Sequence, residues 1–289
     1  MPLKAQHICG NTWCLRTPLS LLPFYEINDR EVVLMDSGDE KNSAVADFFV
    51  EREQTVTAVL LSHIHQDHTG GLKELRRRFG SKIYAPAREK ESIPSLKHPK
   101  GRAFQGRVFP GGCKAEEKED CAANFRIPPE CRYVNIKGAE FDAIFCPGHS
   151  DGHTAFVTPD NVCFLGDLVS SPNYLSAVRM LYIKNHALDR ESKEKLRQEN
   201  FAYCVAAHKK VFSGRELSFV IDENLSCIEK MKEQVRKCLD GLPETDGDVC
   251  AQIMRALDRA GRSPKEGSKE AYIMRCSIEG FLEDIRRTH

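Results

Sequence analysis

Ser62-His63-Ile64-His65-Gln66-Asp67-His68-Thr69-Gly70-Gly71 is the stretch on which the reading of this chain turns. It follows Val56 to Leu61, a short bounded apolar run that suits a strand buried on both faces. In extended backbone His63, His65 and Asp67 alternate onto one side, because the side-chain period of a strand is two. His68 turns toward the neighbouring direction as the chain bends into Gly70-Gly71. One histidine alone is more often structural than ligating. Three imidazoles and a carboxylate packed this closely would repel or desolvate one another without a cation, so the cluster suits a pair of divalent ions.

Strands and helices alternate on either side of this stretch. Glu31 to Met35 is a β-type run ending in the turn signal Asp36-Ser37-Gly38. Ser43 to Glu53 reads as a helix, Gly71 to Phe79 as a shorter one stopped at Gly80, and Lys82 to Ala85 as the next strand. Downstream, Arg132 to Ile136, Phe141 to Phe145, Thr154 to Thr158, Val162 to Leu165 and Phe201 to Ala207 are strand-like, and Asp189 to Asn200 is a polar helix. Three of these strands run into a metal-capable side chain: Phe145-Cys146-Pro147-Gly148-His149, Phe164-Leu165-Gly166-Asp167 and Val205-Ala206-Ala207-His208. Residues 87–131 have weak periodicity and read as a long irregular insertion. After Phe212 the pattern becomes helical, with helices expected over Glu216–Leu239, Gly247–Ala260 and Lys269–Ile285 and a polar linker over 261–268. The expected division is therefore 1–212, a catalytic domain, and 213–289, a small helical domain.

Composition narrows the class. The 289 residues carry 42 basic and 42 acidic side chains, which excludes a globally basic nucleic-acid binder. No apolar run has the length of a signal peptide or membrane span, so a cytoplasmic protein is expected. The 12 cysteines are then expected as free thiols, Cys146 and Cys163 at buried strand positions. Cys113, Cys121 and Cys131 are spaced too widely for a paired zinc knuckle. From Lys73 to Arg107 there are 11 Lys/Arg against 3 Glu, which reads first as a solvated face and second as a rim attracting an anionic substrate.

Asp36-Ser37-Gly38, His63-Ile64-His65-Gln66-Asp67-His68, Pro147-Gly148-His149, Gly166-Asp167 and His208 resemble, in order, the motifs of the metallo-β-lactamase fold superfamily. The resemblance covers about residues 10–212 and is nearest to the glyoxalase II-like group. It implies an α/β fold, the αββα metallo-β-lactamase sandwich, here followed by a small all-helical C-terminal domain that is similar to a truncated winged helix. It implies that His63, His65 and His149 hold one metal, that Asp67, His68 and His208 hold a second, and that Asp167 bridges them. Asp36 would orient a ligating imidazole. His153 is left between an orienting and a structural role.

The implied chemistry is hydrolysis by a metal-bridging hydroxide on a thioester or related ester, with Asp67 able to carry a proton. Two zinc ions are expected, with iron or manganese as alternatives for an all-N/O donor set. The alternative activity is that of a metal-dependent ribonuclease or phosphodiesterase; a non-catalytic metal-binding protein ranks third. Residues 215–289 hold 13 Lys/Arg against 15 Asp/Glu, which argues against a nucleic-acid partner and for a small-molecule substrate. Tyr174, Tyr182 and Lys184 read as packing or surface, and the sequence assigns neither substrate-binding residues nor an oligomeric state.

Overall fold

The computed structural model describes residues 3–39, 43–89, 123–178, 180–242, 248–257 and 269–287. Seven strands form the first sheet in chain order: β1 (Lys4–Cys9), β2 (Thr12–Arg16), β3 (Leu21–Asn28), β4 (Glu31–Met35), β5 (Thr55–Leu60), β6 (Lys82–Pro86) and β7 (Phe125–Ile127). Pairing is antiparallel from β1 to β4 and parallel from β4 to β7. The parallel crossovers carry α1 (Ser43–Glu51), the single turn α2 (Gln66–Thr69) and α3 (Leu72–Phe79). The second sheet contains β8 (Tyr133–Ile136), β9 (Ala139–Phe145), β10 (Thr154–Val157), β11 (Val162–Gly166), β12 (Tyr203–Ala206) and β13 (Lys210–Ser213), in the order β13-β12-β11-β10-β9-β8. Here β11 and β12 run parallel, and α4 (Pro172–Ala177) and α5 (His186–Arg197) lie between them in the chain.

Each layer is glued by its own apolar face. Met35, Leu60, Phe141, Phe156, Phe164 and Val205 are buried between the two sheets. Phe49 of α1 and Leu72 and Leu75 of α3 pack with Phe24 and Val59 on the outer face of the first sheet. Leu196 of α5 joins Cys163, Leu165 and Cys204 on the outer face of the second sheet, together with Val220 and Ile221 of α6 (Leu217–Asp240). Burial of each such side chain contributes about 1.5–3 kcal/mol. The result is helix, sheet, sheet, helix: the αββα sandwich expected from the sequence. Further along α6, Ile228, Met231 and Val235 form a separate cluster with Ile253 of α7 (Val249–Leu257) and Ile278 and Phe281 of α8 (Lys269–Arg287). This cluster also takes in Met180 and Ile183 from the segment before α5, so the C-terminal helices share their core with the preceding part of the chain.

Most expected elements appear with ends shifted by one to three residues. One local expectation is corrected. His63 and His65 lie in open chain after β5, but Asp67 and His68 belong to the helical turn α2, so strand alternation does not aim them. The carbonyl of His65 accepts from the backbone N–H of His68 (3.0 Å) and of Thr69 (3.1 Å), and this turn swings His68 inward. The hairpins β1–β3, the strands β7 and β13 and the helix α4 are additional to the sequence reading. Most of the 87–131 insertion, with Cys113 and Cys121, and the 261–268 linker fall outside the described residues. Cys146 and Cys163 are buried free thiols, as expected.

Candidate metal centre

The expected donors converge at one edge of the sandwich, beyond the ends of β4, β5, β9, β11 and β12. Ligand-capable atoms of His63, His65, His149 and Asp167 all lie within 4.8 Å of one another. The same holds for Asp67, His68, Asp167 and His208. Asp167 belongs to both groups and faces them with different oxygens. Its Oδ2 is 3.9 Å from His63 Nε2 and 3.6 Å from His149 Nε2; its Oδ1 is 3.3 Å from both His68 Nε2 and His208 Nε2. Asp67 Oδ2 stands 3.9 Å from His68 Nε2.

A buried hydrogen-bond relay fixes the orientation of two imidazoles. Asp36 is wholly buried and sits at φ 57°, left-handed backbone that is uncommon for a residue with a side chain. Its Oδ1 accepts from the Ser62 N–H and its Oδ2 from Ser62 Oγ, each at 2.7 Å. The same Oδ2 accepts from His68 Nδ1 at 2.7 Å. Because Ser62 Oγ spends its proton on Asp36, it accepts from His63 Nδ1 at 3.0 Å. Both rings therefore carry their proton on Nδ1 and turn Nε2 into the cluster. The Ser37 N–H and Oγ donate to the His68 carbonyl (2.7 and 3.0 Å), tying the Asp36-Ser37-Gly38 turn to α2.

Two glycines bring the remaining donors close. At Gly166, φ is 52° and a Cβ would stand 2.5 Å from His153 Nε2. That nitrogen accepts from the Asp167 backbone N–H at 3.2 Å, which gives His153 an orienting contact with Asp167. At Gly148, φ is 137° and a Cβ would stand 2.3 Å from the Asp189 backbone, so only glycine lets the His149 loop lie against α5.

The electrostatics point to a cation. Burial first, then neighbouring imidazoles, hold His63 well below the ordinary histidine range. Burial likewise holds His149 well down, with Asp167 opposing, and pushes His153 down to about 3. For His68, burial acts downward but the Asp167 and Asp36 carboxylates outweigh it and hold the ring well above its ordinary value. Burial pushes Asp167 up, yet His68 and His208 carry it well below the carboxylate range.

A positive charge is thus wanted between these rings and Asp167. His68 Nε2 and Asp167 Oδ1 are buried and have no hydrogen-bond partner among the described residues. His65 Nδ1 meets His63 Nε2 at 2.9 Å and His149 Nε2 at 3.0 Å, and a single proton on one of these nitrogens cannot satisfy all three. The donor separations, from 2.9 to 3.9 Å, bracket the roughly 3.3 Å that tetrahedral binding of a small divalent ion requires. The donor set fits metal ions.

Every sequence-predicted site residue, Asp36, His63, His65, Asp67, His68, His149, Asp167 and His208, lies in this cluster or touches it. A cavity of about 180 Å³ opens beside it, reached by His65, Asp67, His149, Asp167 and His208. Tyr182 stands edge-on to His65 and His149, with ring centroids 4.8 and 5.2 Å away, and Tyr174 stacks on His208 at 4.7 Å. Both line the cavity, whereas Lys184 pairs with Asp151. The sequence reading also missed Asp189 and Lys193 of α5 and Tyr272 and Ile273 of α8, which complete the walls. A wider groove of about 930 Å³ adjoins it, sharing Asp67, Tyr174 and His208 and running past Leu19, Asp39 and Lys209.

A sandwich of this layout with a His/Asp cluster at its edge defines a class of protein, and sequence comparison agrees with it. The Metallo-beta-lactamase superfamily model matches residues 24–208, and the chain belongs to that superfamily. It is similar to a hydroxyacylglutathione hydrolase of Shewanella baltica, 25% identical over 207 residues, 71% of this chain and 66% of that protein. A hydroxyacylglutathione hydrolase of Shewanella pealeana is 30% identical over 140 residues, 48% of this chain and 42% of that protein. The chain thus spans less than two thirds of the length of these relatives. Two solved structures share the fold over 99% of the chain. A metallo-beta-lactamase family protein of Thermus thermophilus has a TM-score of 0.62 and 14% identity, with 94% of it covered. A beta-lactamase domain protein of Burkholderia ambifaria has a TM-score of 0.64 and 16% identity, with 88% covered.

Proposed function

We propose that the chain is a hydrolase holding two divalent metal ions, zinc by preference, and that it cleaves a thioester or related ester. The observation that supports this best is the division of the two Asp167 oxygens between two donor groups, Oδ2 toward His63 and His149 and Oδ1 toward His68 and His208. In this reading His63, His65 and His149 hold one ion, Asp67, His68 and His208 the other, and Asp167 reaches both. Such ions, when bound, polarise a substrate carbonyl and bring the pKa of water to about 7.

The protein's own groups do the rest. Asp36 and Ser62 keep the His63 and His68 protons on Nδ1. Asp67, which lines both the cavity and the groove, accepts the proton of the attacking water at a carboxylate oxygen. The tyrosines and apolar side chains around the cavity exclude bulk water from the scissile bond. Residues 1–212 form the catalytic domain, and 213–289 the helical domain that adds one wall of the substrate site. Thioester chemistry is preferred because the relatives above are named for it. No helix of the described residues is long and apolar enough to cross a membrane, and the substrate is a small molecule.

The test is elemental analysis of the purified protein with an assay panel of acyl-thioesters, lactones and bis(p-nitrophenyl) phosphate. Two metal equivalents with thioester turnover are expected. Turnover confined to the phosphodiester would make the protein a phosphodiesterase, and a metal-free protein with full activity would end the reading.

Asp36 offers a separate check. Asp36→Asn replaces the acceptor of three hydrogen bonds with an amide that cannot accept them all, leaving His68 free to rotate. Metal affinity is expected to fall by roughly 10–100-fold. Competition with a chromogenic chelator measures this, and an unchanged affinity would show that Asp36 orients nothing.

A further inference from the structure

α5 carries a buried ion pair that the proposed hydrolysis does not use. Asp189 and Lys193 are 2% and 1% exposed, and Lys193 Nζ donates to Asp189 Oδ2 one helical turn away. Both side chains line the cavity that His65, Asp67, His149 and Asp167 also line. Among the described residues neither side chain has another hydrogen bond. An ammonium has three N–H donors and a carboxylate two oxygens, so two donors and Oδ1 are left over.

The pair is held rigidly against the metal-centre loop. Lys184 N–H and Asn185 N–H both donate to the Gly148 carbonyl at 2.9 Å, and Ser192 Oγ donates to the Pro147 carbonyl at 2.7 Å. Leu168, Leu181, Ile183 and Ile273 line the same cavity and add apolar surface beside the polar groups. For stability alone, an apolar pair of the same volume would serve at least as well as buried charges. Spare donors beside a spare acceptor, in a cavity that also offers apolar surface, instead suit a ligand.

We propose that the Asp189–Lys193 pair is a recognition subsite for a carboxamide or peptide group in the acyl part of the substrate. The amide carbonyl accepts from Lys193 Nζ and the amide N–H donates to Asp189 Oδ1. The charges of the pair cancel, so a carboxylate would be attracted by Lys193 and repelled by Asp189, and an ammonium group the reverse. An amide offers one acceptor and one donor side by side and meets neither repulsion. This rests on the reading that the cavity takes the substrate's acyl group.

The experiment uses zinc-loaded protein and two kinds of probe. Thioesters of succinamate and glutaramate are compared with those of the isosteric 4-methylpentanoate and 5-methylhexanoate and with those of succinate and glutarate. The free acids are compared in parallel by calorimetric titration. At least one amide is expected to exceed its apolar isostere roughly tenfold or more in kcat/KM and, as free acid, in affinity. In the double variant Asp189→Asn/Lys193→Met, which removes both charges together, that ratio is expected to fall toward one, with most of the change in KM. Equal treatment of amide and isostere by the unaltered protein overturns the subsite without any variant. So does a ratio that survives in the folded double variant. Hydrolysis of no thioester would overturn the proposed function instead, and the free-acid affinities still decide the subsite.

Discussion

Asp167→Ala is expected to abolish hydrolysis and to release both metals while leaving the sandwich folded. The side chain is the one donor common to both groups, and it supplies the negative charge that four surrounding imidazoles face. Its loss therefore exceeds the roughly 10–100-fold cost of losing an orienting partner. The fold has little stake in it. Asp167 stands beyond the end of β11, and its backbone N–H donates to His153 whatever its side chain. His68 and His208 outweigh burial and favour its ionised form in the folded protein, so its removal costs some stability, but the buried cores of the sandwich do not include it. Elemental analysis should show less than one metal per chain, circular dichroism an unchanged spectrum, and the thioester assay no turnover above buffer. Retained turnover would falsify the assignment of Asp167 to both ions.

The donors were legible in the sequence because they lie next to strong local signals. His63 to His68 follows a six-residue apolar run, and His149, Asp167 and His208 each stand just past a strand, where an αββα fold gathers loops at one edge. What aims them was less legible. His63 and His65 sit in the open chain just past β5, as the apolar run before them signals, but Asp67 and His68 are placed by the turn α2, whose four residues are too short for a periodicity to show. The N-terminal strands were obscured by chemistry that argues against them. β1 is mostly exposed or half-buried, and Pro23 sits inside β3, an interior strand, where a proline ordinarily argues for an edge. The ladder to β4 begins only at Phe24, so the missing N–H falls where that neighbour is not yet paired. Asp189, Lys193 and Tyr272 could not be found from the sequence at all. They reach the cavity because α5 packs on the Gly148 loop and α8 on α5, contacts made between elements far apart in the chain.

Lys193→Met should cost about 3–5 kcal/mol of stability near neutral pH, the usual penalty for removing one partner of a buried ion pair. The methionine fills the space of the lysine stem, so packing loss is small and the penalty resides in Asp189. Burial already raises the Asp189 carboxyl above its ordinary range, and Lys193 is the main influence holding it down. Without the ammonium the folded-state value rises further. A carboxyl whose folded value lies above its unfolded one binds protons more tightly when folded, so stability falls as pH rises between the two values. The deficit relative to the unaltered protein should therefore be small below the unfolded carboxylate value of about 4 and should grow through mildly acidic pH until the carboxyl ionises in the folded state. Urea unfolding of both proteins across this range measures the difference directly, and comparing the two cancels the titration of the shared histidine cluster. Asp189→Asn/Lys193→Met should recover most of the loss at neutral pH, because no charge is left stranded. A deficit independent of pH, or a double variant as unstable as the single one, would mean that Lys193 contributes packing rather than charge.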